Sequence, residues 1–276
     1  MPNNLLAGKV GIISGALNEQ SIAWKVAQRA HAEGARFVLT NAPLAMRMGE
    51  IKRLSEECGA LIIPADATSV EELEALFGGA TAHLGGKLDF VLHSIGMSPN
   101  IRKKKDYGNL DYKFFQQTLD VSALSFHKMM HVAEKQDALN EHASILALSY
   151  IAAQRVFPDY TDMSQAKAML ESIARNYGYR LGMQKKVRVN TISQSPTKTT
   201  AGTGVGGFDA FFDYAEKMSP LGNASAEACA DYCIALFSDL TRFVTMQNLM
   251  HDGGFSSMGV SEELMNMLTE AAGAKA

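Results

Sequence analysis

The sequence predicts a single α/β domain, a seven-stranded parallel sheet layered between helices. Three observations carry this expectation. Short runs rich in β-branched and apolar residues recur seven times in 276 residues, at 9–14, 36–40, 61–65, 88–94, 143–149, 187–193 and 247–251. Several are apolar at nearly every position, as strands covered on both faces must be. The longer segments between them carry helical periodicity, and such alternation calls for parallel strands joined by right-handed crossovers. Seven strands use almost the whole length, so residues 1–276 read as one domain with no linker.

The first strand runs into Ser14-Gly15-Ala16-Leu17-Asn18-Glu19-Gln20-Ser21-Ile22-Ala23. Gly15 permits a sharp turn off the strand. Ser21 stands either to cap the next helix or to bond a phosphate, because free N–H groups and the helix dipole there favour anions. Two glycines of the usual G-x-G-x-x-G pattern are absent, so a plain strand-to-helix turn is the competing reading. The helix that follows shows one apolar stripe, Ile22, Val26, Ala27 and Ala30.

The second strand ends Leu39-Thr40-Asn41-Ala42-Pro43. No acidic residue stands there for ribose hydroxyls and no cation for a 2′-phosphate, Arg47 being a helical turn further on. This favours NADH, with NADPH the alternative. Past the third strand, Asp66 in Pro64-Ala65-Asp66-Ala67-Thr68 is placed to accept from an adenine amino group or to cap the next helix, whose stripe is Leu73, Leu76 and Phe77. The fourth strand ends His93-Ser94-Ile95-Gly96, where the glycine allows backbone to approach a cofactor closely and His93 reads as a packed core residue. The basic run Arg102-Lys103-Lys104-Lys105 follows, either a solvated loop or a landing site for an acidic partner.

After the fifth strand come Tyr150, Tyr160 and Lys167. On a continuous helix Tyr160 and Lys167 would differ by only roughly 20° around the axis and stand about 10 Å apart along it, so both could line one pocket. A phenol beside an ammonium suits a substrate oxygen that becomes negative. After the sixth strand, residues 197–220 are first rich in Gly and Thr and then aromatic, with Phe208, Phe211, Phe212 and Tyr214. A connection this long beyond the carboxyl end of a strand reads as a substrate-binding lid.

Composition narrows the function classes. A formal charge of −3 makes no case for nucleic acid or an anionic membrane. No segment approaches eighteen uninterrupted apolar residues, and the first residues, Met1-Pro2-Asn3-Asn4, carry no charged lead into an apolar run, so a cytoplasmic protein is expected. Cys58, Cys229 and Cys233 are too few and scattered for a disulfide framework; Cys229 and Cys233, four residues apart, read as buried thiols, and no metal site is expected.

Together these residues resemble the enoyl-acyl-carrier-protein reductases of bacterial type II fatty-acid synthesis, a divergent branch of the short-chain dehydrogenase/reductase superfamily. The likeness runs almost the full chain. It rests on the Gly15 turn leading to Ile22-Ala23, on His93-Ser94-Ile95-Gly96, Leu148-Ser149-Tyr150, Pro158-x-Tyr160 with Lys167, Arg188-Val189-Asn190 and Asp252-Gly253-Gly254-Phe255. Ordinary short-chain reductases place the Lys four residues after the Tyr and keep a Ser where this chain has Tyr150.

The resemblance implies a Rossmann-type three-layer sandwich, NADH as hydride donor and an enoyl thioester on acyl carrier protein as substrate. It assigns the thioester oxygen to Tyr160, the nicotinamide ribose to Lys167 and the pocket wall to Tyr150 and Met163. It further implies that Gly15, Ser21 and Ile22 contact the pyrophosphate, Asp66 and Ala67 the adenine and Ile95 the cofactor. Ser98 would lie by the substrate, Thr197, Thr199 and Ala201 over the nicotinamide, and the assembly would be a homotetramer. Departures are Ser193-Gln194-Ser195-Pro196 in place of Ala-Gly-Pro, Ala42 at a usually polar adenosine contact, and a lid that after Gly202 is longer and lacks the basic residues often proposed to meet the carrier protein. Two other functions compete: a ketone or alcohol short-chain reductase, such as a 3-oxoacyl-carrier-protein reductase, and a nucleotide sensor without turnover.

Overall fold

The computed structural model describes residues 3–199 and 207–273. Its strands are β1 (Val10–Ser14), β2 (Arg36–Thr40), β3 (Leu61–Ile62), β4 (Leu88–His93), β5 (Leu139–Ser149), β6 (Arg188–Gln194) and β7 (Asn248–His251). They pair in parallel in the order β3-β2-β1-β4-β5-β6-β7. The helices are α1 (Ile22–Ala32), α2 (Pro43–Met48), α3 (Ile51–Cys58), α4 (Val70–Leu84), α5 (Pro99–Arg102), α6 (Tyr112–Leu119), α7 (Ser125–Lys135), α8 (Met163–Lys185), α9 (Phe208–Met218), α10 (Ala226–Phe237) and α11 (Glu262–Gly273).

Alternate residues of each strand face opposite ways, and both faces are covered. Ile12, Val38, Val91 and Ile145 pack with α4, α7 and α8, through residues such as Phe77, Phe126 and Leu170. Their neighbours Ile13, Phe37, Leu39, Phe90, Leu92 and Leu146 pack on the other side with α1, α3 and α10, through Trp24, Leu54 and Phe237. Ile12 and Ile13 are wholly buried, and each such side chain contributes about 1.5–3 kcal/mol. The expected α1 stripe is present, and Trp24, outside it, is buried as well.

Two strands differ from their sequence runs by more than one residue at an end, for local reasons. β3 stops at Ile62 because Pro64 has no N–H to donate, although Ile63 and Ala65 still donate to Leu39 and Asn41 carbonyls. β5 begins four residues earlier than the apolar run, through an irregular stretch where its pairing with β4 shifts and His142 takes φ +64°. The Gly- and aromatic-rich connection is not all loop: its second half is α9.

Every strand enters from the same edge and leaves toward the other. At the entry edge the chain turns off α1, α3, α4, α7 and α8 through residues with positive φ, Gly34, Gly59, Gly85, Asp137 and Lys186. At the exit edge lie Gly15, Asn41, Ser94, Tyr150 and Ser195, where open parallel sheets bind their ligands. No described helix is long and apolar enough to cross a membrane.

Candidate active site

The turn after β1 leaves no room for a side chain at position 15. Gly15 takes φ +92°, and a Cβ there would sit 2.0 Å from the Ser94 carbonyl oxygen. Backbone from β1 and β4 therefore meets directly at the exit edge. Ser21 does not cap α1; its hydroxyl accepts from the Leu17 and Asn18 N–H groups and so shapes the turn itself. Ile22 opens the helix, half-buried.

Between the ends of β1, β2 and β4 lies a small cavity lined by Ser14, Thr40, Asn41, Ala65, Ala67 and Ile95 among others. Among the described residues the Thr40 hydroxyl there is buried without a partner, as is that of Ser193 at the end of β6. Asn41 is spent on structure, donating to the Ala16 carbonyl and accepting from the Ala42 N–H. One Asp66 oxygen accepts from both the N–H and the hydroxyl of Thr68, while α4 itself is capped by Ser69. The other Asp66 oxygen carries no bond from the described residues.

Lys167 lies in the second turn of α8, 8% exposed, its ammonium donating to the Leu148 carbonyl at 2.6 Å. Burial lowers its pKa to about 8, opposed by the Glu171 carboxylate one turn below. Glu171 is itself buried and held by the Ser149 hydroxyl and the Gln154 amide. A Cβ on Gly96 would come within 3.8 Å of Lys167 Nζ, 3.9 Å of Met163 Cε and 4.0 Å of Ser122 Oγ, so these three ring the open face of that glycine. Ser122 belongs to a π-helical turn, Asp120–Leu124, and bonds both backbone groups of Met97. His93 beneath is fully buried, bonded to Ser125 Oγ at 2.8 Å, and burial with the nearby Lys167 charge depresses it to about 3.

Tyr160 is not on the helix that carries Lys167, so the projection onto one helical face is corrected. It ends a 3-10 turn, Pro158–Tyr160, and α8 starts only at Met163. Between them Thr161 adopts φ +36°, ψ −128° and Asp162 φ −67°, ψ −15°. These dihedrals approximate a type II′ turn, whose first central position belongs to glycine. A β-branched residue held there costs about 1–3 kcal/mol. Tyr160 and Met163 nonetheless meet, packing with Ile101, Leu119 and Ala166.

The Tyr150 and Tyr160 rings lie 5.0 Å apart at 55°. Burial pushes both phenols far above the ordinary tyrosine value; the Tyr160 ring and Asp252 add to the effect on Tyr150. Both hydroxyls thus stay protonated at any working pH. Phe157 joins Tyr150 at 5.4 Å and Phe211 of α9 at 5.2 Å, and Phe255 and Tyr214 complete the aromatic wall. The loop bearing Phe255 is fixed by Asp252, whose carboxylate accepts from the Gly254 and Ser256 N–H groups. Phe157 and Phe255 drew no assignment from the sequence; their spacing in the chain gives no sign that they meet.

The remaining sequence candidates are placed as follows. Ser98 is 4% exposed, its hydroxyl donating to Asp162 and accepting from the Ile101 N–H, so that side chain is taken up inside the protein. The Thr197 hydroxyl donates to the Ser195 carbonyl and receives the Gln194 amide, and the Thr199 N–H donates to the Thr197 carbonyl. Ala201 lies outside the described residues. Cys229 and Cys233 are buried free thiols, and no cluster of metal-ligating side chains occurs among the described residues.

Residues 15–256 match the family model described as Enoyl-(Acyl carrier protein) reductase. The chain is 34% identical over 260 residues to enoyl-[acyl-carrier-protein] reductase [NADH] 1 of Rhizobium meliloti, covering 94% of each. It is 33% identical to the corresponding NADH reductase of Bacillus cereus, over 92% of this chain and 99% of that one. Among solved structures it is similar to the FabI–NADH complex from Alistipes finegoldii, with 64% identity, a TM-score of 0.93 and coverage of 94% of this chain and 91% of that one.

Proposed function

Because the chain belongs to the enoyl-acyl-carrier-protein reductase family, we propose that it reduces the trans-2 double bond of enoyl thioesters on acyl carrier protein, with NADH, in fatty-acid elongation. The observation that carries this reading is the pair of protonated phenols, Tyr150 and Tyr160, packed ring to ring at the exit edge that also holds buried Lys167. A ketone reductase of the ordinary kind would need a Ser at 150 and a Lys at 164, where this chain has Tyr150 and Ser164.

The residues present fit a dinucleotide. Gly15 makes the turn that brings the β1 and β4 backbones together at the rim where the phosphates would lie, the Thr40 hydroxyl, without a partner among the described residues, sits in the cavity that Ala67 and Ile95 line, and Asp66 keeps one oxygen free for an adenine amino group. No Arg or Lys stands within residues 41–46, directly after β2, to meet a 2′-phosphate, which supports NADH over NADPH. Lys167, cationic below about pH 8, has ammonium protons left for ribose hydroxyls beside Gly96. Ser21 and Ile22 would border the phosphates, and Thr197 and Thr199 the nicotinamide, a role the resemblance also implies for Ala201, outside the described residues. Bound NADH supplies the hydride to the β-carbon of the enoyl group.

The chain's own residues then manage charge. Tyr160 donates its O–H to the thioester oxygen as that oxygen becomes an enolate, and one such donor is worth roughly 3–4 kcal/mol. Tyr150, Met163 and the aromatic wall exclude water around the acyl chain, with residues 197–220 as the lid and the Ser98 backbone beside the substrate. The enolate then takes a proton from solvent at its α-carbon, which completes the addition of two hydrogens. Tyr160→Phe tests the assignment: NADH binding by fluorescence should stay within about twofold while turnover of crotonyl thioester falls a hundredfold or more; undiminished turnover would remove Tyr160 from the role.

The reading extends to a cytoplasmic homotetramer. Its support is the family to which the chain belongs. Sedimentation equilibrium should give about four times the chain mass of 29.9 kDa; a monomer at micromolar concentration would refute it.

A further inference from the structure

We propose that Asp162 is a positioning residue whose carboxylate locks the turn that carries Tyr160, and so sets where the phenol meets the thioester oxygen. The inference rests on the reductase reading above.

Asp162 is fully buried. One carboxylate oxygen accepts from Ser98 Oγ at 2.6 Å and Thr161 Oγ1 at 3.1 Å. The other accepts from Asn100 Nδ2 at 2.8 Å and lies 2.9 Å from Thr118 Oγ1. Four neutral groups from α5, α6 and the turn itself thus converge on a single side chain, and no Lys, Arg or His forms an ion pair with it among the described residues. A buried carboxylate without a cation is an expensive way to join elements that apolar packing with Ile101, Met163 and Ala166 could join more cheaply. Packing alone, however, would not oppose the strain next door.

That strain sits at Thr161, 4% exposed, between Tyr160 and Asp162 in the left-handed slot that suits glycine. Left to itself, a threonine would relax toward negative φ, and a rotation there swings Tyr160 relative to α8 and Lys167. The carboxylate opposes this by bonding the Thr161 hydroxyl and by anchoring the following residue to α5 and α6. Lys167 is fixed independently, by the body of α8 and the Leu148 carbonyl. Loss of the anchor should therefore damage the step that needs Tyr160 and spare cofactor binding.

Asp162→Asn keeps one oxygen and loses the other. Turnover of crotonyl thioester should fall about tenfold or more, because small misplacements of a reacting group are costly, while the NADH dissociation constant stays within about twofold. Thr161→Gly removes the strain, so adding Asp162→Asn in that background should cost less than about threefold, a rescue that a purely structural role would not give. Thr118→Val, which keeps volume and removes one donor, should lower turnover in the same direction if Asp162→Asn does not fold. The proposal is overturned if turnover of the folded Asn variant stays within twofold of wild type, if NADH affinity falls in step with turnover, if the Gly background gives no rescue, or if Thr118→Val is silent. Wild-type turnover is measured first: its absence would refute the reductase reading, whereas its presence with any of those outcomes refutes only the role of Asp162.

Discussion

Lys167 shows what a functional side chain costs at the scale of one residue. The unfolded chain holds its proton up to the ordinary lysine value of 10.5, but the folded chain releases it near 8. Between those pH values the unfolded state binds more protons, so stability rises with pH across that window, and below about 8 the full penalty of a buried charge remains. That penalty is about 3 kcal/mol, offset by about 1 kcal/mol for the bond to Leu148. Lys167→Met should therefore stabilise the protein by about 2 kcal/mol at pH 7 and by little at pH 10, read from urea unfolding at both pH values, while NADH affinity drops at least tenfold. A destabilised variant at pH 7 would show that Lys167 is better solvated than its burial indicates. Tyr150, Tyr160, Met163 and Lys167 were legible in the sequence because they fall within eighteen residues of one another. Asp162 was not, because its partners at 98, 100 and 118 are brought to it by tertiary contacts that no spacing encodes.

At the scale of elements, periodicity read the helices well and failed where the chain breaks its own rhythm. Tyr160 and Lys167 have helical spacing, yet the turn at Thr161 separates them, and nothing about a threonine announces positive φ. The aromatic residues of 197–220 became informative only once α9 placed Phe211 and Tyr214 against Phe157 and Phe255. Each such ring pair is worth about 0.5–1.5 kcal/mol beyond area burial, so the four rings together seat the helix against the rim. Phe211→Ala should raise the Michaelis constant for a long-chain enoyl thioester about tenfold and leave the NADH dissociation constant unchanged. Equal losses in both would mean that α9 supports the cofactor side as well.

At the scale of the whole molecule, the sheet was the most legible feature, since strands buried on both faces need apolar residues at nearly every position, and several of the seven runs come close to that. Its irregularities follow from single residues, Pro64 and His142, that a run of apolar letters averages away. Surface charge is less legible. Arg102, Lys103 and Lys104 are exposed, and Lys103 stands 4.6 Å over the Phe114 ring, so part of the run has an internal use. Reversing the charge at Arg102, Lys104 and Lys105 should raise the Michaelis constant several-fold for substrate on an acidic carrier protein and not for the CoA thioester, an effect that added salt erases. Equal effects on both substrates would reduce the run to a solvated loop.

The one-way sheet has a practical corollary. All turns through Gly34, Gly59, Gly85, Asp137 and Lys186 gather at the edge opposite Gly15, Tyr150 and Ser195. Gly85 and Gly86 border open space there, with no atom near enough to crowd an added side chain. A tether, affinity tag or new pair of chain ends introduced between them would leave the substrate entrance facing away from the attachment, so the protein can be fixed to a bead or electrode in a known orientation with its working rim toward the solution.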